Sequence, residues 1–370
     1  MLLTEQEVVP YLLKRRLIDP KAVVEGEVTV VNASRRNRVF KVISEQGPCY
    51  LLKQAVDREA TATVAHEAAV YRYLQRASGN GGFVPYLPGF HGYDDRENIL
   101  ILEYLRNALS LHEYISNRGR FSTAHAKILG KALGALHSRN PLADNGERLR
   151  LSQQPPWALS IHQPDMRIFR EVSSTNLQLI KILQQFTEFS GFLDELRRGW
   201  KPEALIHHDL KWDNCLIHAR VPSKRKTRLK IVDWELASVG DACWDVGSVF
   251  NDYFSFWLMS IPITGETPPE RFLELARYPL EKMQPAIRAF WQAYTRRRRL
   301  DNPAAARQLA RSVRFSAARL VQTAYEQMQM SMQLTGNIIC FLQLSLNILK
   351  RPREAGIQLL GIPLQGLAQP

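Results

Sequence analysis

The stretch that decides the fold of this chain reads Ile206-His207-His208-Asp209-Leu210-Lys211-Trp212-Asp213-Asn214-Cys215-Leu216-Ile217. It carries a carboxylate, an ammonium and a carboxamide within six residues, between two apolar flanks. Such a run predicts a polar turn followed by a short buried strand. A second polar cluster, Asp233-Trp234-Glu235, comes directly after the apolar residues Ile231 and Val232.

The residue types in these two clusters suit the transfer of a phosphoryl group. That reaction needs metal ions on hard oxygen ligands, a cation on the phosphates, and a carboxylate beside the attacking hydroxyl. Asp209 is the candidate base or orienting group for the hydroxyl, and Asn214 and Asp233 are the candidate magnesium ligands. The alternative is an ordinary polar turn followed by an aspartate at the end of a strand.

The first hundred residues predict strands with one helix. Hydrophobic alternation predicts strands over 28–30, 39–43 and 49–53, and a buried strand over 98–104. A helix is expected over 57–75. Lys53 at the end of its strand could reach nucleotide phosphates if Glu67 on this helix holds it, although Glu59 lies on the same helix.

After Tyr104 the pattern becomes helical, so a hinge is expected around Glu103 to Leu109. Ser110 and Glu113 form the signature of a capping box. Helices are expected over 123–138, 176–196, 245–258, 281–299 and 303–350. A loop is expected over 140–165, and strands at 215–217 and 229–232 enclose a basic tip with Arg220, Lys224, Arg225, Lys226 and Arg228.

The order of these motifs resembles the aminoglycoside phosphotransferase and choline kinase family, which has the protein-kinase-like fold. The resemblance rests on His207-x-Asp209-x4-Asn214, on Asp233-Trp234-Glu235, and on Gly240-Asp241-x-x-Trp244-Asp245. It implies an α+β, two-lobed protein: a small antiparallel-sheet lobe that binds nucleotide, residues 1–105, and a larger, mainly helical catalytic and substrate-binding lobe, residues 106–370.

The resemblance also implies roles for single residues. Lys53, held by an ion pair to Glu67, would bind the phosphates of ATP, or of GTP, in the presence of Mg²⁺. Glu103 and Leu105 belong to the linker over the adenine. Asp209 would face the acceptor. His207 is expected to support the loop, with direct acid-base chemistry as the alternative. Lys211 would either neutralise the phosphoryl group in transfer or point to solvent.

The distribution of charge along the chain indicates which kind of acceptor molecule to expect. Residues 1–105 hold thirteen basic and thirteen acidic residues, so the net charge of +13 lies in residues 106–370. Aminoglycosides are polycations, and we therefore expect a hydroxylated small molecule of another kind. The alternatives are a kinase of Ser or Thr hydroxyls in a peptide, and an inactive scaffold that binds an anionic partner through its basic surface.

Other features narrow the class of protein. The turn Asn32 to Asn37 contains no glycine, so the sequence does not identify a backbone loop that binds phosphates. Ser34, Arg35 and Arg36 are possible contacts to the phosphates instead. The scattered cysteines and the absence of a secretory signal favour a cytoplasmic protein. No apolar run is long enough to span a membrane. Nucleic acid is an unlikely partner, because no recognition motif accompanies the arginines.

Overall fold

The computed structural model describes residues 2–76, 82–139, 149–165, 172–218, 228–262, 274–329 and 333–363. The expected basic tip between the two strands, apart from the backbone of Arg228, lies outside these residues. Contacts divide the chain into two units, the first made mainly of Met1–Tyr114 and Asp213–Ala237, and the second of Ile115–Asp144, Arg150–Trp212 and Ser238–Pro370. The functional division at residue 105 stays a prediction.

The strands are β1 (Val28–Asn32), β2 (Arg38–Ser44), β3 (Tyr50–Gln54), β4 (Phe90–Asp94), β5 (Ile99–Glu103), β6 (Leu109–Ser110), β7 (Ala204–Ile206), β8 (Cys215–His218), β9 (Arg228–Ile231) and β10 (Ser238–Gly240). The helices are α1 (Glu5–Lys14), α2 (Pro20–Val24), α3 (Arg58–Arg76), α4 (Leu111–Arg118), α5 (Thr123–Leu136), α6 (Ser174–Gln185), α7 (Thr187–Arg198), α8 (Ala242–Met259), α9 (Leu280–Arg298), α10 (Asn302–Gln329), α11 (Gly336–Lys350) and α12 (Pro352–Gln358).

The first unit contains an antiparallel sheet in the order β1-β2-β3-β5-β4. Alternation along β2 and β3 buries every second side chain, including Phe40, Val42 and Leu52, against α1. Lys53 follows Leu52 and therefore extends from the opposite face of the sheet. The predicted strands are confirmed, whereas α1, α2 and β4 were not predicted.

A second, smaller sheet in this unit has the order β6-β8-β9. Cys215 is paired with Ile231 in the antiparallel β8–β9 ladder, and the Val232 N–H donates to the Asn214 carbonyl at 3.0 Å. Asn214 and Asp233 therefore lie at the same end of this pair of strands. This register brings Asn214 and Asp233, one residue from each polar cluster, to neighbouring positions.

The second unit is mainly helical, with a short β7–β10 pair that was not predicted. The expected helical range 176–196 contains two helices that meet at Phe186, and 303–350 likewise contains α10 and α11. Helices pack closely where glycines face them: a Cβ on Gly247 of α8 would lie 2.8 Å from the Ser312 carbonyl oxygen on α10. No helix among the described residues is long and apolar enough to cross a membrane.

The predicted fold class, a small antiparallel sheet followed by a larger helical part, is confirmed. The capping box at the start of α4 is also present. The Ser110 backbone N–H donates to Glu113 Oε2 at 2.7 Å, and the Glu113 N–H donates to Ser110 Oγ at 3.0 Å.

Candidate active site

Lys53 of the first unit lies among three carboxylates. Its Nζ atom is 2.8 Å from Glu67 Oε2, 3.1 Å from Asp233 Oδ1 and 2.8 Å from Glu235 Oε2. Strand β3 supplies the lysine, α3 supplies Glu67, and the turn after β9 supplies the other two. Of the two glutamates considered on α3, the structure therefore pairs Glu67 with Lys53, whereas the exposed Glu59 binds Arg36.

Burial shapes the electrostatics of this cluster. The Glu67 side chain is only 2% exposed, and this burial raises the pKa of its carboxyl even though the Lys53 ammonium opposes the shift. Burial also works against the charged form of Lys53, but the carboxylates around it outweigh that effect and raise the pKa of the ammonium. Lys53 is therefore a permanently charged cation held at a fixed place.

The same cluster could hold a divalent cation. Glu67, Asp233 and Glu235 each offer an oxygen, and these atoms lie within 4.8 Å of one another. Asn214, which is buried, is the last residue of a 3-10 turn and lies at the same end of β8 and β9. Hard oxygen ligands of this kind suit magnesium.

Asp233 has an unusual backbone that helps to aim its carboxylate. Its φ of 66° and ψ of 61° place it in the left-handed region, which residues other than glycine seldom adopt. The next residue, Trp234, is fully buried and donates from its indole Nε1 to the Ile231 carbonyl at 3.0 Å. The anchored tryptophan fixes the turn, so Asp233 and Glu235 on either side of it both turn toward Lys53.

In the second unit, Asp245 of α8 braces the loop that follows β7. The Asp245 carboxylate accepts the backbone N–H of His207 at 2.7 Å and that of His208 at 3.0 Å, and it lies 3.2 Å from His137 Nε2. Burial opposes the charge of Asp245, but these hydrogen bonds hold the pKa of its carboxyl below the ordinary value. Asp245 therefore braces this loop through the backbone of His207 and His208.

His208 makes this loop turn. Its φ is 71°, and its carbonyl accepts a hydrogen bond from Trp244 Nε1 at 2.8 Å, while its Nδ1 lies 2.7 Å from Ser238 Oγ. His207 is buried. The turn presents the next residue, Asp209, on a segment that is held from both sides.

Asp209 is partly buried and lies near two cations. Lys211 Nζ is 3.0 Å from Asp209 Oδ2, and Arg319 Nη2 on α10 is 3.6 Å from Asp209 Oδ1. Burial disfavours the Asp209 carboxylate, yet the charges of Arg319 and Lys211 prevail and lower the pKa of this carboxyl. Asp209 is therefore ionised at neutral pH. Burial disfavours the charge on Lys211 as well, but Asp209 raises the pKa of its ammonium.

The remaining predicted residues lie at the end of β5 in the first unit. Glu103 Oε2 accepts the Gly89 backbone N–H at 2.8 Å, and the carbonyl of Leu105, which is half-buried, accepts the N–H of Ala108 at 3.1 Å. The turn after β1 is closed by its own hydrogen bonds, since Ser34 Oγ accepts the Val39 N–H at 3.1 Å.

Sequence reasoning missed two residues of these clusters. Glu235 could have been found, because a second carboxylate two positions after Asp233 is visible in the sequence. Arg319 gave no signal, because it comes 110 residues after Asp209 on a helix rich in arginine. Two neighbouring arginines are instead occupied: Arg311 binds Asp241, and Arg314 makes two bonds to Glu195 at 2.8 and 2.7 Å.

Comparisons with known proteins place this geometry in context. A search of the curated proteins found no match. Among the solved structures that share the fold is choline kinase from Cryptosporidium parvum Iowa II, with a TM-score of 0.56 and 15% sequence identity, covering 97% of this chain and 99% of that one. An amicoumacin kinase in complex with AMP-PNP and Ca²⁺ has a TM-score of 0.54 and 14% identity, covering 97% of this chain and 98% of that one. The GDP complex of an aminoglycoside 2'-phosphotransferase-IIIa variant has a TM-score of 0.53 and 13% identity, covering 96% of this chain and 99% of that one.

A family model described as the phosphotransferase enzyme family matches residues 27–264, which is more than half of the chain. The matched residues include Lys53, Glu67, the loop from His207 to Asn214, and Asp233. The resemblance identified from the sequence motifs is confirmed, and the chain belongs to the phosphotransferase enzyme family.

Proposed function

We propose that this phosphotransferase is an ATP- and Mg²⁺-dependent kinase that phosphorylates a hydroxyl group of a small molecule other than a polycationic aminoglycoside. The observation that carries the proposal is the Lys53 ammonium among the carboxylates of Glu67, Asp233 and Glu235. That cluster combines a cation for nucleotide phosphates with oxygen ligands for a metal ion.

In this proposal Lys53 binds the phosphates of the nucleotide, and Glu67 keeps the ammonium in position. Glu103 and Leu105, at the end of β5, are the proposed contacts to the base. The shared fold with an amicoumacin kinase solved with AMP-PNP and Ca²⁺ supports a nucleotide and a divalent metal ion, with ATP proposed first and GTP as the alternative.

Asn214 and Asp233 would hold Mg²⁺, with Glu235 beside them. A bound magnesium ion would neutralise negative charge on the phosphates. The three carboxyl groups around the single Lys53 ammonium support a divalent rather than a monovalent cation. Lys53 would then exchange part of its contact with Asp233 and Glu235 for contact with phosphate oxygens, which are equivalent anionic partners.

Asp209 would orient the acceptor hydroxyl and accept its proton. The Lys211 ammonium, 3.0 Å from Asp209, would neutralise charge on the phosphoryl group. His207 would act through the loop, since it is buried and its backbone N–H is held by Asp245. Each role draws on a different feature: the ionised carboxylate of Asp209, the cation beside it, and the brace beneath the loop.

The charges close to Asp209 support the proposed exclusion of polycations. Lys211 and Arg319 both lie within 4 Å of its carboxylate, so a cationic acceptor would meet two positive charges at the reacting hydroxyl. A peptide with an acceptor Ser or Thr is the alternative substrate, and it is included as an arm of the test.

The test replaces Asp209 with Ala and measures ATP-dependent phosphorylation over a panel of hydroxylated metabolites and Ser/Thr peptides. We expect a loss of about 100- to 10,000-fold in kcat with little change in affinity for ATP, because general-base catalysis and positioning are removed. Asp213→Ala is the matched control, since Asp213 lies in the same loop and is exposed. Unchanged turnover in Asp209→Ala would contradict the mechanism. If the wild-type protein phosphorylated only the peptides, the acceptor would be a peptide and not a small molecule.

A further inference from the structure

Arg319 is a buried charge that the proposed reaction does not yet use. Its side chain is 4% exposed, although arginine is seldom fully buried without a partner. The guanidinium lies 5.5 Å from the centre of the Trp244 ring, and Nη2 is 3.6 Å from Asp209 Oδ1, which is longer than a hydrogen bond. Within the part of the chain that the structure describes, the buried Nε atom makes no hydrogen bond.

A guanidinium has five N–H donors in a planar fork, a shape that matches a carboxylate or a phosphate. Lys211 at 3.0 Å and Arg319 at 3.6 Å both face the Asp209 carboxylate, so two positive charges stand against one negative charge at this place. Glu326 lies two turns further along α10, is exposed, and accepts a hydrogen bond from Gln322 at 2.8 Å. A buried cation with an unsatisfied donor attracts an anion far more strongly than a surface cation does.

We propose that Arg319 binds an anionic group of the acceptor, so that the substrate is a hydroxy compound with a carboxylate or a phosphate close to the hydroxyl that is phosphorylated. This inference rests on the proposed function, because it takes Asp209 as the group that receives the hydroxyl. The anion would occupy the donors of Arg319 while the neighbouring hydroxyl meets Asp209. The Trp244 ring lies against the guanidinium and helps to hold it in place.

A purely structural role for Arg319 makes a different prediction. If the arginine serves only to keep Asp209 ionised and in place, its removal should harm every acceptor alike, mainly through kcat. If it also binds an anion of the substrate, its removal should in addition raise KM for anionic acceptors, whereas KM for their uncharged counterparts should stay almost unchanged. The comparison of matched acceptors therefore separates the two roles.

The experiment uses the full-length protein with matched pairs of acceptors: glycerol with glycerate, and ribose with ribose 5-phosphate, together with choline and kanamycin as cationic compounds. Wild-type protein is compared with Arg319→Met and Arg319→Lys. Arg307→Met is the control, because Arg307 is an exposed arginine of the same helix. Phosphorylation is measured with ATP and Mg²⁺, and KM is determined separately for acceptor and for ATP.

We expect wild-type protein to prefer the anionic member of a pair. Arg319→Met should raise KM for that member about 10- to 100-fold, the range of a charge-assisted hydrogen bond, with Arg319→Lys in between. A preference for glycerate over ribose 5-phosphate, or the reverse, would distinguish a carboxylate from a phosphate. Phosphorylation of uncharged or cationic compounds alone, or an equal loss of kcat for all acceptors with no selective rise in KM for the anionic ones, would overturn the anion site and leave the kinase proposal standing. No ATP-dependent phosphorylation of any compound would instead contradict the proposed function.

Discussion

Replacing Asp245 with Asn is expected to weaken the loop that carries Asp209 and to slow phosphoryl transfer. The Asp245 carboxylate accepts the backbone N–H groups of His207 and His208 and lies 3.2 Å from His137 Nε2. Asparagine has the same shape but only one acceptor oxygen. At least one of these buried donors would therefore face an amide NH₂ group.

The magnitude follows from the bonds that are lost. A hydrogen bond to a charged group contributes about 1.5–3 kcal/mol, and a buried donor left without an acceptor costs about 1–3 kcal/mol. Because these losses overlap, we expect the free energy of unfolding to fall by about 2–4 kcal/mol. The left-handed conformation of His208 costs about 1–3 kcal/mol and depends on the same bonds. A loss of about 2 kcal/mol in the loop corresponds to a decrease of about 30-fold in kcat.

The assay combines urea unfolding, followed by circular dichroism, with steady-state kinetics on the folded protein. Asp241→Asn is the control, because Asp241 is an equally buried aspartate that caps α8 and binds Arg311. It should lower stability without lowering kcat. A kcat for Asp245→Asn that matches that of Asp241→Asn would refute the reasoning, since it would mean that the brace is not needed to position Asp209.

Two further predictions concern stability. Burial lowers the pKa of His137 and lowers that of His208 to about 4, so both histidines favour the folded state when neutral. Their contribution is complete above the unfolded pKa of 6.5 and is lost as the pH falls toward 4, by up to about 1 kcal/mol per pH unit for His208. Urea unfolding from pH 7 to pH 5 measures how the free energy of unfolding changes with pH. His208→Asn should reduce this slope, because asparagine tolerates the left-handed backbone but does not titrate. An unchanged slope in the variant would contradict the assignment to His208. Gly247→Ala should lower the free energy of unfolding by about 1–3 kcal/mol, because its Cβ would meet backbone atoms of α10. Gly191 is the control: a Cβ there would lie in open space, so Gly191→Ala should leave stability unchanged or raise it. Equal effects of the two variants in urea unfolding would refute the close packing at Gly247.

Much of the fold could be predicted because its signals are local. Alternation over 39–43 predicts one buried face of β2, and the pair Ser110 and Glu113 predicts the start of α4, since both depend on residues only two or three positions apart. The short β7 and β10 carry no such signal. Each has three residues, and both are fully buried, so alternation is absent and only their pairing defines them.

The sequence by itself determined which residue types stand near each other along the chain: Asp209, Lys211 and Asn214 in one loop, Asp233 and Glu235 in one turn, and Lys53 at the end of a strand. The tertiary structure alone decided which of them act on each other. It selected Glu67 over Glu59 as the partner of Lys53, placed Asp245 beneath the loop, and brought Arg319 to within 3.6 Å of Asp209. The physical reason is that propensity and periodicity act over a few residues, whereas an ion pair depends on the distance between two charges and on their burial. Both are fixed only when distant segments pack together.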